Sequence, residues 1–183
     1  AQALERGYII TIDYGDIASE LFSIQRPRGT LMCYYRHTAT EDPYQHLGEQ
    51  DITAMVDFTA LVKAGEEAGL STLDLVPQGM FLWNLGLPVF IQGLSQLSMP
   101  QSEYYANLMA LRDLARPGGL GDFRVLVQGK GVPDMPLDGL AEGQVPRPNW
   151  NRVAQLPVPR LDRRHMPLLR GRYPHLSWDL EPG

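Results

Sequence analysis

The run Tyr8-Ile9-Ile10-Thr11-Ile12 constrains this chain more than any other segment. Bounded by Gly7 and by Asp13-Tyr14-Gly15, it is short, rich in β-branched residues and nearly continuous in apolar character. A strand wetted on one side alternates apolar and polar residues. One that is apolar on both faces belongs inside a sheet covered by helices, as in parallel α/β folds. The run therefore demands neighbouring strands and covering helices from a chain of 183 residues, the size of one ordinary domain.

The remaining pattern supplies some of them. Gly29-Thr30-Leu31-Met32-Cys33-Tyr34-Tyr35 reads as a second, weaker strand. Phe58, Leu61, Val62 and Ala68 recur at helical spacing, with Asp51 or Thr53 available as the N-cap and Gly69 as the stop. Ser71 to Val76 reads as a short strand and Gln78 to Leu85 as a brief helix ending at Gly86. A longer helix is expected from Pro100 to Arg116, ended by Pro117-Gly118-Gly119, and a last strand over Phe123 to Gln128. This order is α/β, with few strands to flank the first one.

Composition narrows the function classes. With 44% hydrophobic and 20% charged residues the chain is globular in type rather than disordered. Its formal charge of −5 argues against a generally basic nucleic-acid binder. Val76 to Leu94, the most apolar stretch, is broken by Pro77, Gln78, Asn84, Pro88 and Gln92, which a membrane span would leave unsatisfied. Cys33 is the single cysteine, so no internal disulfide forms and a reducing, cytoplasmic compartment is expected. Residues 141–183 hold seven of the 15 prolines and seven arginines against four acidic residues. That tail is expected to be extended and irregular, with a domain boundary near residue 140. The opening Ala1 to Arg6 reads as the end of a helix continued from a longer chain.

Several constellations invite chemistry and fail on spacing. Gly129-Lys130-Gly131 follows a strand, but no Ser or Thr follows the lysine and Val132-Pro133 stand where a phosphate loop needs a helix. It reads as a strand-ending turn. His37, His46, Glu49 and Asp51 lie close in sequence without a metal-ligand spacing, and read as a polar loop. Cys33 has no second thiol and reads as a small buried residue. Arg163-Arg164-His165, flanked by Trp150 and Trp178, is too sparse in charge for a nucleic-acid surface. Asp13-Tyr14-Gly15 carries more, because ligands in open α/β sheets sit beyond the carboxyl ends of strands. Asp51-Ile52-Thr53-Ala54-Met55-Val56-Asp57-Phe58 sets two carboxylates and a hydroxyl where a helix begins, a pattern that helix capping alone would also explain.

Taken together, Gly7 to Gly15, Gly29-Thr30-Leu31 running to His37, Asp51 to Phe58, Gln78 with Phe81-Leu82, and Phe123 to Gln128 resemble the C-terminal half of the MidA-like S-adenosylmethionine-dependent methyltransferases. A mitochondrial assembly factor for the respiratory NADH dehydrogenase belongs to that family. The resemblance runs over roughly residues 4 to 140, and the tail matches nothing in it. It implies the second half of a Rossmann-like class I methyltransferase sheet, strands 5 to 7 with their helices. Tyr8 to Ile12 would be the fifth strand and Phe123 to Gln128 the seventh, antiparallel to the rest. It further implies S-adenosylmethionine as cofactor, with the Gly-rich loop and the ribose-binding acid in an N-terminal half that this sequence does not contain. A protein acceptor, arginine in the mitochondrial relative, would then be methylated here, in the cytoplasm or, in a eukaryote, the mitochondrial matrix. Asp13, Asp51 and Asp57 would be the catalytic carboxylates, Asp13 orienting or deprotonating the acceptor with assistance from His37. Tyr14 and Thr53 would shape the acceptor pocket; Gln78, grouped with them, would more naturally fix a loop. The expected partners are a protein substrate and either the complementary half or a second copy, with no nucleic acid and no membrane span. The competing expectation is a non-catalytic assembly or binding module that keeps the half-fold and uses its tail for partner contact.

Overall fold

The computed structural model describes residues 3–36, 38–133, 137–140 and 150–162. It divides into two compact units, Ala1–Pro77 with Phe123–Asp134, and Gln78–Asp122 with Met135–Gly183. The chain leaves the first unit at Pro77 and returns to it at Phe123.

The first unit holds strands β1 (Gly7–Asp13), β2 (Gly15–Asp16), β3 (Met32–Tyr35), β4 (Thr38–Thr40), β5 (Asp51–Thr53), β6 (Val56–Asp57), β7 (Ser71–Pro77) and β8 (Arg124–Lys130), with helices α1 (Ala18–Leu21) and α2 (Phe58–Glu67). Its main sheet has the order β1-β8-β7, and β8 runs antiparallel to both neighbours. Val125, Leu126 and Val127 on β8 are buried, as the centre of a sheet requires. Gln128 continues that buried row, and its amide donates to the Thr72 hydroxyl at 3.1 Å and the Val62 carbonyl at 3.4 Å. Gly65 of α2 makes this possible, because a Cβ there would overlap the Gln128 amide.

The described residues flank the first strand on one edge, as the scarcity of neighbouring strands in the sequence implies. Tyr8, Ile10 and Ile12 are exposed, Ile10 by 53%, while Ile9, Thr11 and Asp13 on the opposite side are partly buried. Among the described residues β1 pairs with β8 alone. Its side chains suit burial on both faces, yet the described residues cover one face and one edge.

Helix α2 begins later than the sequence pattern indicates. Asp57, rather than Asp51 or Thr53, is its N-cap, with the carboxylate accepting the Ala60 N–H at 3.1 Å. Asp51 and Thr53 are instead in β5, which pairs with β3 in the small sheet β4-β3-β5. Gly69, at φ +82°, ends the helix as expected, and the Leu70 N–H returns to the Gly65 carbonyl at 2.9 Å. Cys33 is fully buried on β3.

The second unit is helical: α3 (Gln78–Asn84), α4 (Leu87–Leu94), α5 (Gln101–Leu114) and α6 (Trp150–Val153), with 3-10 turns at Leu120–Asp122 and Asp138–Leu140. Leu87 and Leu94 of α4 pack with Leu111 of α5. The Pro-rich segment is only partly irregular. Trp150–Val153 forms α6, whereas residues 157–162 carry no helix or strand. Val158 nonetheless packs against the α4–α5 cluster, and buried Asn107 holds Leu161 by both its N–H and its carbonyl. Arg163-Arg164-His165 and Trp178 lie outside the described residues. No helix among the described residues is long and apolar enough to cross a membrane.

Asn107→Ala leaves two backbone groups of Leu161 unmet, a loss of about 1–3 kcal/mol. Limited proteolysis should then cut within residues 150–162 faster than in the parent, and urea denaturation should show a lower midpoint.

Candidate functional site

Beyond the carboxyl end of β1 the chain turns sharply. Asp13 accepts the Tyr14 N–H through one carboxylate oxygen at 2.8 Å. The Tyr14 carbonyl takes the Val56 N–H at 3.0 Å, and β2 then pairs parallel with β6. Gly15 is obligatory for that pairing, because a Cβ would overlap the Val56 carbonyl oxygen. Asp16 fastens the corner from the other side. One oxygen takes both the Ile17 N–H at 3.0 Å and the Arg124 guanidinium at 2.8 Å. That ion pair is largely shielded, the two side chains being 28% and 21% exposed. The Tyr14 ring packs on Phe123 with centroids 5.7 Å apart.

Held in this way, the Tyr14 hydroxyl reaches the Thr53 hydroxyl and hydrogen-bonds to it. Both line a cleft of about 360 Å3 with Thr30, Tyr34, Met55, Arg26, Arg28 and Glu41. The loop Arg26-Pro27-Arg28-Gly29 closes with the Gly29 N–H on the Arg26 carbonyl at 2.9 Å. Pro27 and Gly29 stand at the turn positions those residues favour. Thr30 accepts the Met55 N–H at 3.1 Å, tying this loop to the segment entering β6. Arg28 pairs with Glu41 at the exposed rim.

Of the residues picked out from sequence, Tyr14 and Thr53 thus meet, and Asp13 stands one residue away. Asp51 is exposed, opposite Tyr34 in the strand register. Asp57 is spent on capping α2. Gln78 lies in the other unit, buried, donating to the Leu114 and Leu120 carbonyls at 2.8 and 3.0 Å. His37 lies outside the described residues. His46 stacks on Tyr35 with centroids 3.9 Å apart, and no group of three potential metal ligands forms among the described residues. Sequence reasoning passed over Arg26, Arg28, Glu41 and Met55. The one available signal was the Pro–Gly turn that presents the two arginines.

The second unit carries an apolar groove of about 500 Å3 beside Trp83 and Ile91, with Arg112 and Arg116 among its lining. Arg116 is paired with Asp113 at 2.9 Å. It offers no convergent set of polar groups.

Comparison with known proteins bears on the first cleft. Residues 1–76, which contain every residue lining it, match the family described as "Putative S-adenosyl-L-methionine-dependent methyltransferase". Two solved structures from Burkholderia thailandensis, members of one superfamily, are similar to the chain. The first, an uncharacterized protein, is 36% identical with a TM-score of 0.66, over 75% of this chain and 36% of that one. The second, described as a "likely methyl transferase" bound to S-adenosyl-homocysteine, is 34% identical with a TM-score of 0.64, over 75% and 35%. The chain spans about a third of the length of these structures. No curated protein matches it.

The described residues do not fit S-adenosylmethionine itself. The cleft lining offers no carboxylate free to hold the ribose hydroxyls of that cofactor, its one glutamate being paired with Arg28. The turn after β8 runs through Gly131 into Val132-Pro133, which start no helix.

Gly15→Ala should cost about 2–3 kcal/mol in chemical denaturation, as expected when backbone must shift to relieve an overlap. Tyr14→Phe, which deletes one hydroxyl and leaves the corner in place, should cost about 1 kcal/mol.

Proposed function

We propose that this chain forms the acceptor-side part of an S-adenosylmethionine-dependent methyltransferase that modifies a protein side chain, arginine being the acceptor suggested by the resemblance. The observation carrying this reading is that the Asp13–Asp16 corner delivers Tyr14 to Thr53 inside the segment that matches the family. In this reading β1 is the fifth strand of the methyltransferase sheet, β7 the sixth and β8 the seventh. The antiparallel setting of β8 between its neighbours supports that numbering. The cofactor, which supplies the methyl group, is held by residues outside this sequence.

The chain's own residues then act on the acceptor. Tyr14 and Thr53 form one wall, and their mutual hydrogen bond fixes the hydroxyls before anything binds. Asp13 uses one oxygen to hold the Tyr14 N–H, and its second has no partner among the described residues. That second oxygen takes the proton the acceptor nitrogen gives up. The complementary part pairs along the bare edge of β1 and covers Tyr8, Ile10 and Ile12.

Asparagine at position 13 separates the chemical role from the structural one, because its carboxamide oxygen still accepts the Tyr14 N–H but takes no proton. With the chain completed by the part of a Burkholderia relative outside the match, Asp13→Asn should lower methyl transfer by about 10²–10⁴-fold. Unchanged turnover would leave Asp13 a turn residue. No methyl transfer by the parent assembly would favour a non-catalytic binding module. Calorimetry of the chain without its complement should show no S-adenosylmethionine binding. Sedimentation should show concentration-dependent self-association that Ile10→Lys reduces; a concentration-independent monomer would contradict the exposed-edge account.

A further inference from the structure

Within the cleft, the polar groups differ in how far their bonding capacity is used. The Tyr14 and Thr53 hydroxyls bond to each other, and the Thr30 hydroxyl accepts the Met55 N–H. Arg28 and Glu41 neutralise each other at the rim. Arg26 is different. It is partly buried, and its guanidinium has one side-chain contact among the described residues, a 3.3 Å approach to the Met55 thioether. A thioether is a weak acceptor and carries no charge. A partly buried guanidinium given only that partner among the described residues lacks, among them, the anion that would offset its desolvation. The backbone around it is fixed rather than loose: the Arg26 N–H bonds to the Ser23 carbonyl and its own carbonyl accepts the Gly29 N–H, both at 2.9 Å.

We infer that Arg26 is the recognition point for a carboxylate on the molecule that enters this cleft. The guanidinium's planar fork matches a carboxylate with two parallel hydrogen bonds, which are charge-assisted and strengthened by partial burial. Tyr34, Leu31 and Met55, each about two-fifths exposed at the mouth, offer an apolar or aromatic rest for the group that carries it. With Glu41 already committed to Arg28, the lining bears one net positive charge inside a chain of formal charge −5. The cleft is a local exception to the protein's own field, and it favours a carboxylate at Arg26. This deepens the acceptor-side reading and rests on it only in treating the ligand as an acceptor: a protein segment with an acidic side chain beside an apolar one. A small arylacetic acid presents the same carboxylate and is the competing source.

Binding is measured without cofactor, so that it stands or falls apart from methyl transfer. The full 183-residue chain carrying 13C-methyl methionine is titrated with an acetylated, amidated Gly-Phe-Glu-Gly peptide, its glutamine twin, and phenylacetate. The Glu peptide should move the Met55 methyl resonance saturably and bind at least tenfold tighter than the Gln twin. Arg26→Gln should weaken it at least tenfold, and Arg26→Lys by less. The dispersed methionine resonances of each variant without ligand report that it is folded. A peptide tighter than phenylacetate identifies a protein segment as the source, whereas equal affinity identifies a small carboxylic acid; either supports carboxylate recognition. Equal binding of the Glu and Gln peptides, or full binding by Arg26→Gln, would overturn the inference. Carboxylate binding without methyl transfer in the completed enzyme would overturn the proposed function and leave this site standing.

Discussion

The close approach of Gly15 to the Val56 carbonyl is the contact on which the cleft depends. Two short strands, Gly15–Asp16 and Val56–Asp57, run parallel because one of them presents no side chain at the crossing. That crossing sets where Tyr14 emerges, and the Asp16–Arg124 ion pair anchors the same corner to β8. Arg124 pays in part for this, since its buried Nε has no hydrogen-bond partner among the described residues. The guanidinium is held by one well-formed arm of the fork rather than two. Breaking the pair would leave a shielded charge without compensation, a larger loss than an exposed ion pair entails.

The segment between β2 and β6 owes its order to this frame. It folds as the small β4-β3-β5 sheet around the buried Cys33, and its loops carry Arg26, Arg28, Thr30 and Glu41 to the cleft. A cleft composed of loop residues on a strand-anchored base follows the common division between a rigid scaffold and variable, function-bearing connections. The chain between β2 and β6 is rich in exposed apolar groups, Phe22, Ile24, Tyr44 and Leu47 among them. These lie in the segment that carries the cleft and suit a large ligand better than a small hydrophilic one.

Local pattern was legible in the sequence where local physics decides it. β1, β7, β8 and helices α2, α3 and α5 follow from β-branched runs, helical spacing and glycine stops, and Cys33 is buried as a lone thiol in an apolar strand should be. The apolar character of β1 was legible, but what covers it depends on chain beyond the strand itself, and the described residues supply only one side. The start of α2 was misplaced because Asp51, Thr53 and Asp57 are all good caps. Pairing of β5 with β3 removed the first two from contention. The meeting of Tyr14 and Thr53 came within reach of the motif reading. The role of Arg26 did not, since it arises from a turn at one end of a loop and a methionine nearly thirty residues away. Gln78 shows the converse: a polar residue in a motif that is buried to close a helix–turn junction, as its doubly donating amide reports.

The central claim is that the acceptor enters the cleft formed by the Asp13–Asp16 corner. The most direct measurement places a photo-reactive amino acid at Met55, in the cleft, and separately at Trp83, in the apolar groove, of the chain completed by its cofactor-binding part. Turnover with tritiated S-adenosylmethionine marks the acceptor, and irradiation fixes it. The account predicts that tritiated acceptor is cross-linked from Met55 and not from Trp83. Capture from Trp83 alone, with none from Met55, would contradict it.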